Sequence, residues 1–244
     1  AKCGATVKAI TLRQGGQVEH VEIVSYKVEK GSTPDVHHLS RDFEAKAIRG
    51  EACAKAAQVL RDAGFVPDVI YAHPGWGDAL FLKDVFPDSK LVGYFEFFYR
   101  ASGLDLGFDP EFPSSEEDAW RVRMKNATNL LTLDACDAGI SPTQWQKSTY
   151  PKRWHADIEV IHEGIDTDHV RADPATWVQL GSEKFTRDDE IITYVARNLE
   201  PYRGFHVFMR ALPEILARRP KARVLIVGGS AVSYGKPSPC GRTW

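Results

Sequence analysis

The sequence predicts an α/β fold in two parts, each resting on a mostly parallel sheet covered on both faces. Three observations carry this. Short apolar runs at 67–72, 90–95, 138–140 and 158–162 alternate with helix-patterned stretches, the signature of parallel strands joined by crossover helices. The pattern loosens around 166–174 into a charged connector. Beyond it a second strand–helix–strand series begins, at 191–197, 205–218 and 223–227.

Taken in order, residues 5–12 and 18–28 read as two strands with Gln14-Gly15-Gly16 as the turn between them. Residues 42–63, rich in Ala, Glu, Lys and Arg, form a helix that Gly64 closes as a left-handed cap. The strand at 67–72 is followed by a helix over 78–85 and a strand over 90–95. A long aromatic and acidic loop, 97–113, leads to a helix over 115–134, opened by Ser114 and Glu117 as a capping box. Strands at 138–140 and 158–162 flank a short helix at 143–149. This gives an N-terminal domain over 1–170 and a second over 171–244 with two strands and one full helix, too little for an independent core. The second domain therefore reads as truncated. The absent initiator Met and the polar, Gly/Pro-punctuated stretch ending at Trp244 also make the chain read as a fragment.

Composition narrows the function classes. The 244 residues are 43% hydrophobic and 26% charged, with a net charge of -2, ordinary values for a globular protein that give no footprint for nucleic acid. Basic clusters at 121–125 and 218–223 fall on or beside helices and read as solvated faces, with peripheral membrane contact as the alternative. Cys3, Cys53, Cys136 and Cys240 are far apart and form no CxxC pair. That argues against a disulfide framework or zinc site and fits a reducing cytosol. No apolar run approaches the roughly 20 residues that span a bilayer, and no secretory signal is visible.

The strand Ile191-Ile192-Thr193-Tyr194-Val195-Ala196-Arg197 ends in one arginine, and Arg203 follows six residues later, just before Gly204 and a helix start. Ligands of open α/β folds collect where strand ends and helix N-termini converge. Two guanidiniums there, with a glycine permitting close approach, suit a diphosphate. Gly228 and Gly229 also follow a strand and could bring backbone amides near a nucleotide.

Four segments, in order, resemble the large retaining glycosyltransferase family four, whose two Rossmann-like domains form the architecture called GT-B. Asp68-Val69-Ile70-Tyr71-Ala72-His73 looks like the family's histidine-ending strand, and Asp137-Ala138-Gly139-Ile140-Ser141-Pro142-Thr143-Gln144-Trp145 like its strand-serine-helix step. Val160-Ile161-His162-Glu163-Gly164-Ile165-Asp166-Thr167-Asp168 resembles the interdomain segment, usually written Asn-Gly-Ile-Asp. Arg197 with Arg203-Gly204 matches the donor-phosphate positions, where the second is more often lysine. The run from Ala72 to Asp109 further resembles a bacterial subgroup. Three departures matter. The family's first strand with its glycine-rich loop would lie before Ala1, its late acidic pair after Trp244, and Glu96 stands where many members carry histidine.

The resemblance implies a glycosyltransferase moving sugar from a nucleoside-diphosphate sugar to a glycan, lipid-linked or small-molecule hydroxyl, with retention. It implies no required metal or cofactor and a hinge at Gly164; the cysteine usage reads as a cytoplasmic location, with the inner membrane face as the alternative the basic clusters leave. His73 and Glu96 are the candidate catalytic residues. His73, at a strand end, would contact a sugar hydroxyl or the acceptor. Glu96, if buried among aromatics, would have a raised pKa and contact the sugar or help the acceptor hydroxyl lose its proton; the plain alternative is an ion pair with Arg100 or another basic group. The fragment alone is expected to be inactive. A nucleotide-sugar epimerase of the same architecture and a catalytically inactive binding module remain the alternatives.

Overall fold

A computed structural model describes residues 4–12, 15–235 and 238. Cys3, Gln14, Cys240 and Trp244, named above, lie outside them. The described residues form two compact units that divide between Gly164 and Ile165, six residues before the boundary placed at 170.

The first unit opens with β1 (Val7–Thr11) and β2 (Val21–Ser25). They pair in parallel, Val7 against Val21 through Thr11 against Ser25, and so are not the arms of a hairpin. The chain reverses just before β2 instead. His20 takes a left-handed φ of 62° there, and Val21 N–H donates to Val18 C=O at 3.1 Å. Helix α1 (Arg41–Asp62) ends as the glycine predicts. Gly64 has φ 87°; its N–H reaches Arg61 C=O, while Phe65 N–H reaches Leu60 C=O. These paired bonds satisfy carbonyls that a helix end otherwise leaves open.

The main sheet is parallel in the order β3 (Val69–Ala72), β4 (Lys90–Tyr94), β5 (Ala138–Ser141), β6 (Ile158–Val160). Between β3 and β4 lie a 3-10 turn, Pro74–Trp76, and α2 (Leu82–Val85), shorter than the helix expected over 78–85. Strand period sorts the side chains. Ala72, Leu91 and Ile158 are buried on one face, with Cys53, Ala57, Leu82, Val85 and Phe86 among the core residues. On the other face Val69 and Tyr71 are 58% and 59% exposed. Within this unit the sheet is therefore covered on one face, not both. Strands added always on the same side, with right-handed crossovers, place every connecting helix on the same face.

The helix expected over 115–134 is two helices, α3 (Glu116–Lys125) and α4 (Ala127–Ala135), parted at Asn126. Buried Asn126 holds the backbone of Tyr99 at both ends, accepting from its N–H at 2.9 Å and donating to its C=O at 2.8 Å. The capping box is also one residue later than expected, with Ser115 and Asp118 as partners. Helix α5 (Gln144–Thr149) is capped by Thr143, whose hydroxyl accepts from Gln146 N–H at 3.1 Å.

The second unit holds an antiparallel hairpin that the sequence reading missed, β7 (Val178–Leu180) and β8 (Glu183–Phe185), turned by Gly181 at φ 60°. Its main elements are the parallel pair β9 (Ile191–Asn198) and β10 (Arg223–Gly229), joined through α6 (Phe205–Arg218). Tyr194 of β9 packs on Phe205 and Phe208, ring centres 5.4 and 4.8 Å away.

Among the described residues no helix is long and apolar enough to cross a membrane. Several cations of the basic clusters have acidic or aromatic partners. Arg121 pairs with Asp118, Arg218 with Glu214 and Arg219 with Glu190. Lys125 lies over the Tyr99 ring at 4.8 Å, and burial pulls its pKa down. Cys53 and Cys136 are free thiols; burial, with the Asp78 charge, pushes the Cys53 thiol up to about 12.

Candidate functional site

The carboxyl edge of the main sheet gathers the first group of candidates. Gly93 and Gly139 are register partners on β4 and β5, and both lack the side chain that would fill the space between them. The Phe95 ring lies in that slot. A Cβ on Gly93 would sit 2.6 Å from its ring atoms, and one on Gly139 2.8 Å. The ring is fully buried and meets Tyr150 edge-on at 5.5 Å. Phe95 N–H donates to Ile140 C=O at 2.7 Å. With Phe95 drawn inward, the next residue, Glu96, is left at the edge.

His73 leaves β3 at the same edge, and its Nε2 lies 3.1 Å from Glu96 Oε2. Its Nδ1 accepts from Gly75 N–H at 2.9 Å. A neutral imidazole has one donor and one acceptor nitrogen, so the Gly75 bond assigns the proton to Nε2. The Nε2–H then donates to Glu96. Glu96 is half-exposed rather than buried, with 54% side-chain exposure. Of the basic groups, His73 reaches it and Arg100 is turned elsewhere. The guanidinium instead donates to the carbonyls of Thr149, Ser148 and Tyr150.

The loop carrying His73 is held by contacts far apart in sequence. Gly77 has φ 92°, and a Cβ there would lie 2.2 Å from Lys46 C=O on α1. A Cβ on Gly50 would in turn lie 2.6 Å from Gly77 C=O. Helix and loop therefore touch backbone to backbone. Asp78 accepts from the Tyr26 hydroxyl and pairs with Arg49 at 2.9 Å, while the Arg49 guanidinium lies 5.5 Å from the Trp76 ring centre. Burial, reinforced by the Asp78 hydrogen bond, holds the Tyr26 hydroxyl well above its usual range.

On the uncovered face Tyr94 stands 5.7 Å from the His73 ring and 5.8 Å from Tyr71. Its hydroxyl donates to Glu163, at the end of the unit. Burial and the Glu163 carboxylate both push the Tyr94 pKa up, so the phenol stays a neutral donor. Gly164 follows with φ 78° and an N–H donating to His162 Nδ1 at 3.0 Å; nothing lies within 4 Å of a Cβ built on it. The Asp166 carboxylate accepts from the N–H groups of Asp168 and His169, closing a local turn.

In the second unit Arg197 is exposed near the end of β9. The chain then makes a 3-10 turn, Pro201–Arg203, and Gly204 enters α6 with φ 72°. Tyr194 OH donates to Arg203 C=O at 2.7 Å, and the Arg203 guanidinium lies 5.1 Å from the Tyr234 ring centre. Gly228 and Gly229 are needed for close packing. Added Cβ atoms would sit 2.7 Å from Leu199 Cδ2 and 2.6 Å from Asn198 Oδ1. One strand end, one helix N-terminus and two arginines thus occupy a single connection, an arrangement suited to an anion.

Residues 3–170 match the family model described as glycosyl transferase family 4 group. The chain belongs to this family. Among solved structures it is similar to the catalytic domain of starch synthase IV from Arabidopsis thaliana bound to ADP and acarbose. That likeness has 16% identity and a TM-score of 0.48, over 78% of this chain and 47% of that one. The chain thus spans about half the length of that structure. No curated protein matches it.

Within this family 4 chain the structure brings His73 and Glu96 together, and places Arg203 with Gly204 at the start of α6. It adds residues that sequence reasoning passed over. Tyr94 and Glu163 form a second hydrogen-bonded pair beside His73. The available signal for Glu163 was that it stands where the interdomain segment usually has asparagine. Glu200 is fully buried between β9 and α6; a lone acidic residue before Pro201 gave no sign of it.

Proposed function

We propose that the protein is a retaining glycosyltransferase of GT-B architecture, taking sugar from a nucleoside-diphosphate donor. The acceptor is a hydroxyl of a glycan, a lipid-linked sugar or a small molecule. Family membership supports sugar transfer, and the observation that carries the donor reading is the placement of Arg197 and Arg203 around the turn into α6. Breaking the bond from the anomeric carbon to phosphate leaves the electron pair, and growing negative charge, on the departing diphosphate. Fixed guanidiniums and the helix N-terminus stabilise that charge more in the transition state than in the ground state.

The acceptor oxygen forms the new bond to the anomeric carbon, and its proton passes to the departing phosphate oxygen. No protein nucleophile or metal is required for that step. His73, with its proton held on Nε2, and the half-exposed Glu96 are suited to hydrogen-bond sugar or acceptor hydroxyls. Gly164, left-handed where the two units divide, serves as the hinge.

The test is thermal stabilisation of the gene's complete product by a panel of nucleoside-diphosphate sugars, beside Arg197→Ala and Arg203→Ala. A ligand at 100 times its dissociation constant adds about 2.7 kcal/mol of stability. One donor should stabilise the wild type and neither variant. Transfer to an acceptor separates this function from an epimerase, which changes the donor alone, and from an inactive binding module. The absence of a shift with any donor would sink the arginine reading.

A further inference from the structure

We infer that Glu200 is a positioning residue of the donor site, tying the loop after β10 to the turn that carries Arg203. The inference rests on the donor-phosphate reading of Arg197 and Arg203. It extends that reading to a buried acid.

Glu200 is 0% exposed and lies two residues after the end of β9. Its Oε1 and Oε2 accept from Ser233 N–H at 3.2 and 3.1 Å, and Oε2 also accepts from Tyr234 N–H at 3.3 Å and Gly235 N–H at 3.1 Å. Three successive backbone amides therefore converge on one carboxylate. Such a nest is an anion-binding concavity, and here the chain fills it with its own anion. A buried carboxylate is costly unless hydrogen-bonded, so the amides and Glu200 hold each other in place.

The same two segments meet at two further points. Asn198 Nδ2 donates to Ser233 Oγ at 2.5 Å, and the Arg203 guanidinium lies 5.1 Å from the Tyr234 ring centre. Arg203 is thus bracketed. Its carbonyl takes the Tyr194 hydroxyl from β9, and its guanidinium lies over a ring whose backbone Glu200 fixes. A carboxylate satisfied by amides also competes less for the guanidiniums than an exposed one would. Glu200 therefore sets where the cation stands without neutralising it.

The variants follow from the geometry. Glu200→Gln keeps the shape but replaces one accepting oxygen with an NH2 that faces amide donors. Glu200→Ala removes every bond in the nest. Glu214→Gln makes the same change of charge on an exposed acid of α6, away from the nest. Calorimetric titration of the gene's complete product with UDP, ADP and GDP should show binding of one of them by the wild type. The two Glu200 variants should bind it at least about tenfold more weakly, as expected for lost charge-assisted hydrogen bonds. Glu214→Gln should stay within about twofold, since surface changes away from such features usually cost little.

The β-phosphorus resonance of the bound nucleotide should also shift in Glu200→Gln. A carboxylate that only holds the fold would lower the melting temperature and leave that signal unmoved. Should Glu200→Ala fail to fold, Glu200→Gln decides. Wild-type affinity and an unchanged resonance in Glu200→Gln would overturn the positioning role alone. No binding of any of the three nucleotides by the wild type would overturn the donor reading and this inference with it.

Discussion

Phe95 shows how one side chain can decide the position of its neighbour. Its ring occupies the slot left by Gly93 and Gly139, and Glu96 meets His73 because Phe95 is turned in. Gly93→Ala places a methyl group 2.6 Å from Phe95 Cε2 and Cζ. Overpacking of this kind costs about 1–3 kcal/mol, which urea denaturation would measure as a lower midpoint with an unchanged slope. An unaltered midpoint would mean that the ring has room to yield. His73 and Glu96 were legible in the sequence as strand-end residues on neighbouring strands. Their partnership was not, because it depends on where an aromatic ring 22 residues from His73 comes to rest. The surroundings of Glu96 were hidden for the same reason: Phe95 and Phe97 flank it in sequence, but the packing leaves its side chain half in water.

Elements were legible where local chemistry alone settles them. The Gly64 cap, the parallel core strands and the helix over Phe205–Arg218 follow from one glycine, β-branched runs and helical apolar spacing. Ser114 and Ser115 offered two capping registers, and the sequence reading chose the wrong one. The Ser115 hydroxyl accepts from Asp118 N–H at 3.2 Å, and the Asp118 carboxylate returns to Ser115 N–H at 3.1 Å. Ser115→Ala should therefore cost about 1 kcal/mol, while Ser114→Ala should change stability by less than about 0.5 kcal/mol; chemical denaturation of the two variants checks the register. The division between α3 and α4 lay beyond local reasoning. Asn126 ends one helix because its side chain holds Tyr99, and nothing in residues 115–134 reveals that partner. The hairpin at 178–185 was missed because two three-residue strands around Gly181-Ser182 are too short to show a period.

At the scale of the whole molecule, residues 161–184 are exposed throughout, and the two units divide within four residues of where that stretch begins. Arg171 lies in it with no helix or strand around it. Exposed, irregular segments are where proteolysis begins, so brief trypsin treatment should cut first after Arg171; mass spectrometry would identify the new ends. First cleavage within α1 or α3 would contradict the division. The two-part organisation was legible because a loss of hydrophobic pattern is itself a sequence signal. The single covered face was not, since it comes from the order in which strands add to the sheet. The contact of Gly50 with Gly77 carries one more consequence. The spacing between α1 and the histidine loop is set by peptide groups in contact, so no side chain serves as an adjustable shim. The exposed side of α1 can drift in sequence without raising or lowering His73 over the sheet edge, whereas a single methyl at either glycine would move it.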